Sequence, residues 1–355
     1  MRVLALTKYG PMAAGTRQRF LQYQPALREA GFEVEFSSLL DDAHMRRLVL
    51  GRRTSPVQVA AAYTRRLGIL GKARQYDLLW LQYEFFPFMP AMVEALAADF
   101  TGKPIVLDYD DAVFHRYDRN ARWPVRIAAE NKLEPLLRRA AACCCGNSYV
   151  ERYAAQFCPN TMLLPTVVDA NLYRPAVKVG ALPLTIGWIG SPSTWHNVRP
   201  ILPLLREICR EGGVVVRAIG AGVAAEGDRF PGLELIEWSE ATEIAEVQRM
   251  DIGIMPLIDE PFERGKSGYK LIQYMACGLP VVASPVGVNS EIVIGGESGF
   301  LAADLEAWRA ALMKLIADPR LRRSLGDAGR QRAEVHYSLA SQAPRLVELF
   351  RSITG

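Results

Sequence analysis

Three stretches of this chain place reactive side chains where backbone geometry would make them useful. The first is Gly265-Lys266-Ser267-Gly268-Tyr269-Lys270. An apolar run, DIGIMPL (251–257), precedes it, and a helical pattern follows as far as Gly278-Leu279-Pro280. That order predicts a strand opening through a loop into a helix, with Ser267 as N-cap and Gly278 as the C-terminal stop. Free backbone N–H groups, the helix dipole and two ammonium groups would then converge on one point, which suits a diphosphate. Gly265 and Gly268 leave the backbone bare where a phosphate approaches. The Gly-x-x-x-x spacing of a Walker loop is absent. The other reading makes both lysines surface residues paired with Glu260 and Glu263.

The second stretch is Asp108-Tyr109-Asp110-Asp111, closing the apolar run PIVLDYD. Acids crowded at a strand's carboxyl end raise one another's pKa and are costly without work or cationic partners. They could handle hydroxyl protons, bind a metal through Asp-x-Asp, or pair structurally with Arg116 or Arg119. Gln82 and Glu84, after DLLWLQY, stand at an equivalent strand end. The third stretch, Gly15-Thr16-Arg17-Gln18-Arg19, follows the first apolar run RVLALT. Arg17 and Arg19 there are candidates for a phosphate, or else solvated arginines at a capped helix start. His115 and His196 lie near these loops and read as structural.

The elements that must position these residues alternate regularly. Apolar runs at RVLALT, FEVEFSSL, DLLWLQY, PIVLDYD and AACCCGNS are separated by helical patterns over 16–30, 45–76, 89–98 and 127–139. The alternation restarts after a linker at 177–182 with LTIGWIG, VVVRAIG, LELIEW, DIGIMPL and LPVVASP. Continuous apolar strands alternating with helices predict α/β architecture: doubly wound parallel sheets, with ligands at the carboxyl ends of the strands. With 355 residues, two domains of roughly 170 each are expected. The divisions are 1–175, 176–336 and a terminal helix over 337–355 that packs back toward the first domain.

Bulk composition narrows the function. Half of the residues are apolar, yet no run reaches the roughly 20 needed to span a bilayer. The N-terminal apolar run stops at Lys8, short of the roughly seven to fifteen residues of a signal peptide. A cytoplasmic protein is expected. Cys143, Cys144 and Cys145 are consecutive and no paired C-x-x-C occurs, so the cysteines read as buried core and neither disulfides nor metal are expected. Net charge is +4, but Arg46, Arg47, Arg52, Arg53, Arg65, Arg66, Lys72 and Arg74 crowd 45–76 without an acid. This segment is either a solvated helical face or a peripheral contact with an anionic membrane surface. No nucleic-acid module accompanies it.

Several segments together carry a family resemblance: LLPTVVDANLYRP (163–175), IGWIGSPST (186–194), the whole of 251–284, GLPVVASPVGVNSEIV (278–293) and GESGFLA (296–302). Over nearly the whole chain they resemble retaining glycosyltransferase family 4, the "group 1" set with the GT-B fold. The resemblance implies two Rossmann-like domains facing across a cleft. It also implies transfer of a sugar from a UDP- or GDP-linked donor to a hydroxyl acceptor, with retention, in polysaccharide, lipopolysaccharide or glycolipid synthesis. Neither metal nor other cofactor is implied; the basic segment 45–76 is what points to a lipid-linked or polysaccharide acceptor as the expectation.

Carried over residue by residue, Gly190, Ser191, Ser193 and Thr194 form the donor glycine loop. Lys266, Ser267, Gly268, Tyr269 and Lys270 hold the diphosphate, and Glu291 meets the donor sugar. Gly15, Thr16, Arg17 and Arg19 form the loop toward donor and acceptor, and Gln82 and Glu84 lie on the acceptor side. Asp110 falls where many members have a histidine beside the sugar, with Asp108 and Asp111 holding it in place. The chain departs from the family in its glutamate pair: the first position is Gly265, with Glu263 as a substitute, and the second is Gln273, which keeps hydrogen-bonding capacity toward the ribose. Hydroxyls at Ser191 to Thr194 replace the usual basic residues, leaving charge neutralisation to Lys266 and Lys270. The same residues are compatible with a non-catalytic sugar-nucleotide-binding protein or a GT-B sugar-nucleotide epimerase.

Overall fold

The computed structural model describes residues 1–49, 55–120, 129, 131–176 and 183–355. The linker at 177–182, residues 50–54 of the basic segment and most of the helix start expected near 127 lie outside the described residues. The chain divides into two compact units. The first comprises Met1–Thr166, Gly265–Ser267 and Gln342–Gly355; the second comprises Val167–Arg264 and Gly268–Ser341.

In the first unit, six strands form one parallel sheet: β1 (Arg2–Tyr9), β2 (Glu33–Leu40), β3 (Leu78–Gln82), β4 (Ile105–Tyr109), β5 (Ala142–Cys145) and β6 (Thr161–Leu163). Their spatial order is β2-β1-β3-β4-β5-β6. β3, β4 and β5 are buried along their whole length. That is why they read as unbroken apolar runs and why Cys143 to Cys145 are buried free thiols. The second unit repeats the plan with β7 (Leu184–Ile189), β8 (Val214–Ile219), β9 (Leu233–Ile236), β10 (Ile252–Met255), β11 (Val281–Ala283) and β12 (Gly299–Leu301). The order is β12-β11-β10-β7-β8-β9, again all parallel. Each sheet reverses its strand order once, between β1 and β3 and between β7 and β10. Such reversals open a crevice at the strands' carboxyl ends.

Several local expectations need correction. The helix expected over 16–30 is broken into Ala14–Arg19, a 3₁₀ turn at Leu21–Tyr23, and Gln24–Glu29. Pro25 is the cause, because it has no N–H and its ring clashes with the preceding turn; Gly31 ends the run at φ +89°. The N-cap of helix Tyr269–Ala276 is Gly268, at φ +68°, and not Ser267. Arg66 is not a surface cation of the basic segment. It is buried and donates to the Thr7 and Ser37 carbonyls. Among the described residues no helix is long and apolar enough to cross a membrane.

Candidate functional site

In the second unit the chain leaves β7 at Gly190, beside the strand-order reversal. A Cβ at Gly190 would fall 2.5 Å from the Trp188 ring and 2.8 Å from Lys270 Nζ. On the adjoining strand end, a Cβ at Gly220 would fall 2.3 Å from the Gly190 carbonyl oxygen. Both strand ends therefore require glycine. Lys270, in the first turn of helix Tyr269–Ala276, holds its Nζ 4.6 Å from the centroid of the Trp188 ring. It also donates to Thr194 Oγ1 at 3.5 Å. Thr194 Oγ1 donates to the Ser191 carbonyl, and the Ser191 and Ser193 hydroxyls are 2.9 Å apart. An ammonium group steered by an aromatic face, with hydroxyls and bare backbone around it, can bind an anion through charge-assisted hydrogen bonds.

One turn further on, Gln273 is buried, and its Nε2 donates to Tyr173 Oη at 3.0 Å and Glu243 Oε1 at 2.8 Å. Glu243 also accepts from the Tyr173 hydroxyl and from Trp238 Nε1. Burial, Tyr269 and Glu243 together raise the Tyr173 pKa. Glu243 thus brings a carboxylate to the neutral Gln273. No local spacing announces it, because the helix Glu243–Gln248 meets Gln273 only through the fold. Gly268 is as constrained as Gly190: a Cβ there would lie 2.2 Å from Ile292 Cδ1. Glu291 is exposed on the short helix Asn289–Ile292, and Glu263 is buried 3.6 Å from His196 Nε2. A cavity of about 500 Å³ opens between Asn197, Leu257, Ser284 and Trp308, and none of the expected site residues lines it.

In the first unit, Gly15, Gln82 and Asp110 come together. A Cβ on Gly15 would sit 3.3 Å from Gln82 Nε2 and 3.6 Å from Asp110 Oδ2. Tyr83, at φ +61°, turns its hydroxyl onto Asp110 Oδ1. That backbone conformation is unfavourable for a bulky residue and marks a position held by its surroundings. Burial, then the Asp110 charge, pushes Asp111 up to about 6, with Lys266 opposing. The segment 265–267 is tied to this unit by Asn147, whose Nδ2 donates to the carbonyls of Gly265 (2.9 Å) and Lys266 (3.2 Å). A Cβ on Gly265 would lie 2.2 Å from Ala112 Cβ. Sterics therefore bar a glutamate where the family pattern has its first one. Ser267 is half-buried in the same segment.

Other expected residues are spent on structure. Arg19 and Asp108 are fully buried and joined by two hydrogen bonds of 2.9 and 3.0 Å, and Arg19 also donates to the Leu164 carbonyl. Neither side chain is open to a ligand, so the phosphate role expected of Arg19 is corrected. Burial nevertheless lifts Asp108 to about 6 against the Arg19 charge. Arg17 folds back on the carbonyls of Pro11 and Met12, and Thr16 on that of Tyr9. Glu84 is buried, accepts from the Tyr117 hydroxyl, and pairs with Lys132, which also pairs with Glu94. Lys270 and Lys266, expected to converge, belong to the second and first units respectively. Among the described residues no three His, Cys, Asp or Glu side chains group as a metal site.

Residues 183–318, most of the second unit, match the family described as Glycosyl transferases group 1. Over 110 residues the chain is 36% identical to an alpha-maltose-1-phosphate synthase of Mycolicibacterium smegmatis, a match covering 29% of this chain and 27% of that protein. Over 108 residues it is 35% identical to a D-inositol 3-phosphate glycosyltransferase of Corynebacterium urealyticum, covering 30% and 24%. The chain thus spans about a quarter of the length of these curated relatives. Among solved structures it resembles sucrose-phosphate synthase from Thermosynechococcus elongatus, with TM-score 0.72, 17% identity, and 99% and 98% of the two chains covered. It also resembles Anabaena Alr3699/HepE in complex with UDP-glucose, with TM-score 0.73, 16% identity, and 99% and 100% covered. At such identities the likeness establishes the fold: two Rossmann-like parallel-sheet domains of the GT-B class. The second of them carries the group 1 glycosyl transferase match.

Proposed function

We propose that this protein is a glycosyltransferase of the retaining family 4 type. It would move a sugar from a UDP- or GDP-linked donor to a hydroxyl acceptor in glycolipid, lipopolysaccharide or polysaccharide synthesis. The observation that carries the reading is Lys270, poised between Trp188 and Thr194 beside the glycine that ends β7. A cation so held can neutralise a departing diphosphate without a metal, a leaving-group role for fixed electrostatics. Gln273, oriented by Glu243, is the candidate for the ribose hydroxyls. Asp110 is the candidate for receiving the acceptor's proton. Relatives named for maltose 1-phosphate synthesis, for inositol 3-phosphate, for a phosphatidylinositol monomannoside and for lipopolysaccharide core biosynthesis support this range of acceptors. A cytoplasmic setting, with the basic helices resting on a membrane surface, belongs to the same reading.

A pair of variants tests it. By calorimetry with UDP- and GDP-sugars, Lys270→Ala should weaken donor binding by at least about tenfold, one charge-assisted contact of roughly 1.5–3 kcal/mol. Asp110→Asn should keep donor affinity and lose turnover. Unchanged affinity in the first variant rejects the donor site, and wild-type turnover in the second removes Asp110 from the chemistry. Product of the donor's own anomeric configuration, formed at full rate in EDTA, is the expected outcome for retention without metal.

A further inference from the structure

The second unit carries a row of cations that the proposed reaction leaves unused. Arg199 stands just before the helix Leu202–Glu211, and Arg206 and Arg210 lie on it. Spacings of seven and four residues bring the three along one face. With Leu202, Pro203 and Asp228 they line a groove of about 410 Å³. All three arginines are exposed, so a solute can reach them. Like charges four residues apart on a helix repel. The acids that could relieve them are turned elsewhere. Glu207 accepts two hydrogen bonds from Arg309, of 2.7 and 2.6 Å, and Glu226 pairs with Arg229. Glu211 is exposed and acts on Arg309 at longer range.

Asp228 is the one acid among the lining residues, and it is already engaged. It accepts from Trp195 Nε1 at 2.8 Å and from Arg199 Nε at 3.0 Å. The Trp195 hydrogen bond first, against burial, and then Arg199 and the Arg206 charge hold its carboxyl below the ordinary range. Arg199 also donates to the Ala224 carbonyl at 3.2 Å, which fixes its guanidinium at the groove's edge. Arg206 lies 5.5 Å from the centroid of the buried Phe230 ring. A guanidinium held by an aromatic ring keeps its N–H edges for an oxyanion. Among the described residues neither Arg206 nor Arg210 forms an ion pair or a side-chain hydrogen bond. Their helix positions are roughly 6 Å apart along the axis, and Arg199 is roughly 10 Å further back. One carboxylate fits one such fork; an anion with two phosphate groups engages several.

The groove is joined to Lys270 by direct contacts within the same unit. Asp228 holds Trp195, the Trp195 ring stands edge-on to that of Trp188 with centroids 5.2 Å apart, and Lys270 Nζ lies over Trp188. We propose that Arg199, Arg206 and Arg210 form an effector site for a small anion carrying two phosphate groups, whose occupancy changes donor affinity through Asp228, Trp195 and Trp188. The effector is neither donor nor acceptor. The link to the donor rests on the transferase reading; the groove itself does not. A bisphosphorylated sugar and inorganic diphosphate share the recognised chemistry.

Calorimetry on the full chain tests both parts. Fructose 1,6-bisphosphate should bind at least about tenfold more tightly than fructose 6-phosphate, the worth of one further charge-assisted contact. Arg206→Gln combined with Arg210→Gln should abolish that preference, and Arg229→Gln, outside the groove, should keep it. Inorganic diphosphate bound with the same dependence on both arginines assigns the inorganic source, and the bisphosphate alone behaving so assigns a phosphorylated metabolite. Saturating bisphosphate should shift UDP affinity at least about threefold, and saturating UDP should shift bisphosphate affinity by the same factor. Trp195→Phe, which keeps a ring but loses the N–H, should bind the bisphosphate and lose the shift. A shift that persists in the double glutamine variant is competition at Lys270 and overturns the link, as does an unmoved UDP affinity. Bisphosphate bound no better than monophosphate, or equally well by the double variant, overturns the site. The two arginines are exposed, so their variant should melt with the wild type; if Trp195→Phe does not fold, that variant decides the matter. Failure of the wild type to bind UDP or any nucleoside diphosphate sugar rejects the transferase reading and leaves the bisphosphate affinity to judge the groove.

Discussion

A carboxylate's behaviour depends on what faces it, and Asp108, Asp110 and Asp111 have three different fates within one strand end. Asp108 meets Arg19, a partner 89 residues earlier that no local motif reveals. Asp110 meets the Tyr83 hydroxyl. Asp111 has burial and like charge against it, and its pKa rises to about 6. The acids were legible in the sequence as a costly cluster; which of them was already neutralised was not, because that is decided by long-range pairing. The consequence for stability has a definite sign. An unfolded aspartate titrates near ~3.9, so between roughly pH 4 and pH 6 the native chain binds more protons than the unfolded one, and stability falls as pH rises. Above pH 6 the full penalty is present, at most about 3 kcal/mol for a shift of about two units. Asp111→Asn should therefore raise the melting temperature at pH 7.5, with the gain shrinking toward zero at pH 4. An equal gain at both pH values would trace the effect to packing of the amide and not to the lost charge.

Strands were the readable elements, because a strand buried on both faces must be a continuous apolar run. Helix starts were less readable. Ser267 has the composition of an N-cap, but Gly268 takes that place with a left-handed backbone. The pattern over 16–30 has helical periodicity, yet Pro25 divides it. What composition could not convey is how closely strand ends approach one another. Gly190 and Gly220 are small because the Gly190 carbonyl and Lys270 occupy the space a Cβ would need. Gly190→Ala should press on the Trp188 ring and displace Lys270, costing about 1–3 kcal/mol of stability as overpacking does and weakening UDP-sugar binding about tenfold or more. Gly227→Ala is the control, since a Cβ there has nothing within 4 Å. If the two alanines have equal effects on nucleotide affinity, the close approach at Gly190 plays no part in forming the site.

At the scale of the whole molecule, a doubly wound plan repeated twice follows from alternation alone, and each strand-order reversal carries expected residues: Gln82 and Asp110 on one sheet, Gly190 and Lys270 on the other. Membership of the units follows from packing between segments far apart in the chain. Residues 342–355 belong to the first unit, far from it in sequence. Phe350 is fully buried there, edge-on to Trp80 at 5.4 Å and to Phe32 at 5.7 Å, and Arg351 donates to the Ala30 carbonyl. Removing a buried aromatic ring costs about 3–5 kcal/mol through lost contacts and the cavity left behind. That loss should fall on the unit whose core the ring completes. In Phe350→Ala, amide hydrogen exchange should accelerate across β1 and β3, since local opening reports the stability of the packing around each amide. Exchange in β7 and β8, and the affinity for UDP, should stay within about twofold of wild type, because Gly190, Thr194 and Lys270 take no support from Phe350 within their own unit. Faster exchange in β7 and β8, with β1 and β3 unaltered, would assign the terminal helix to the other core.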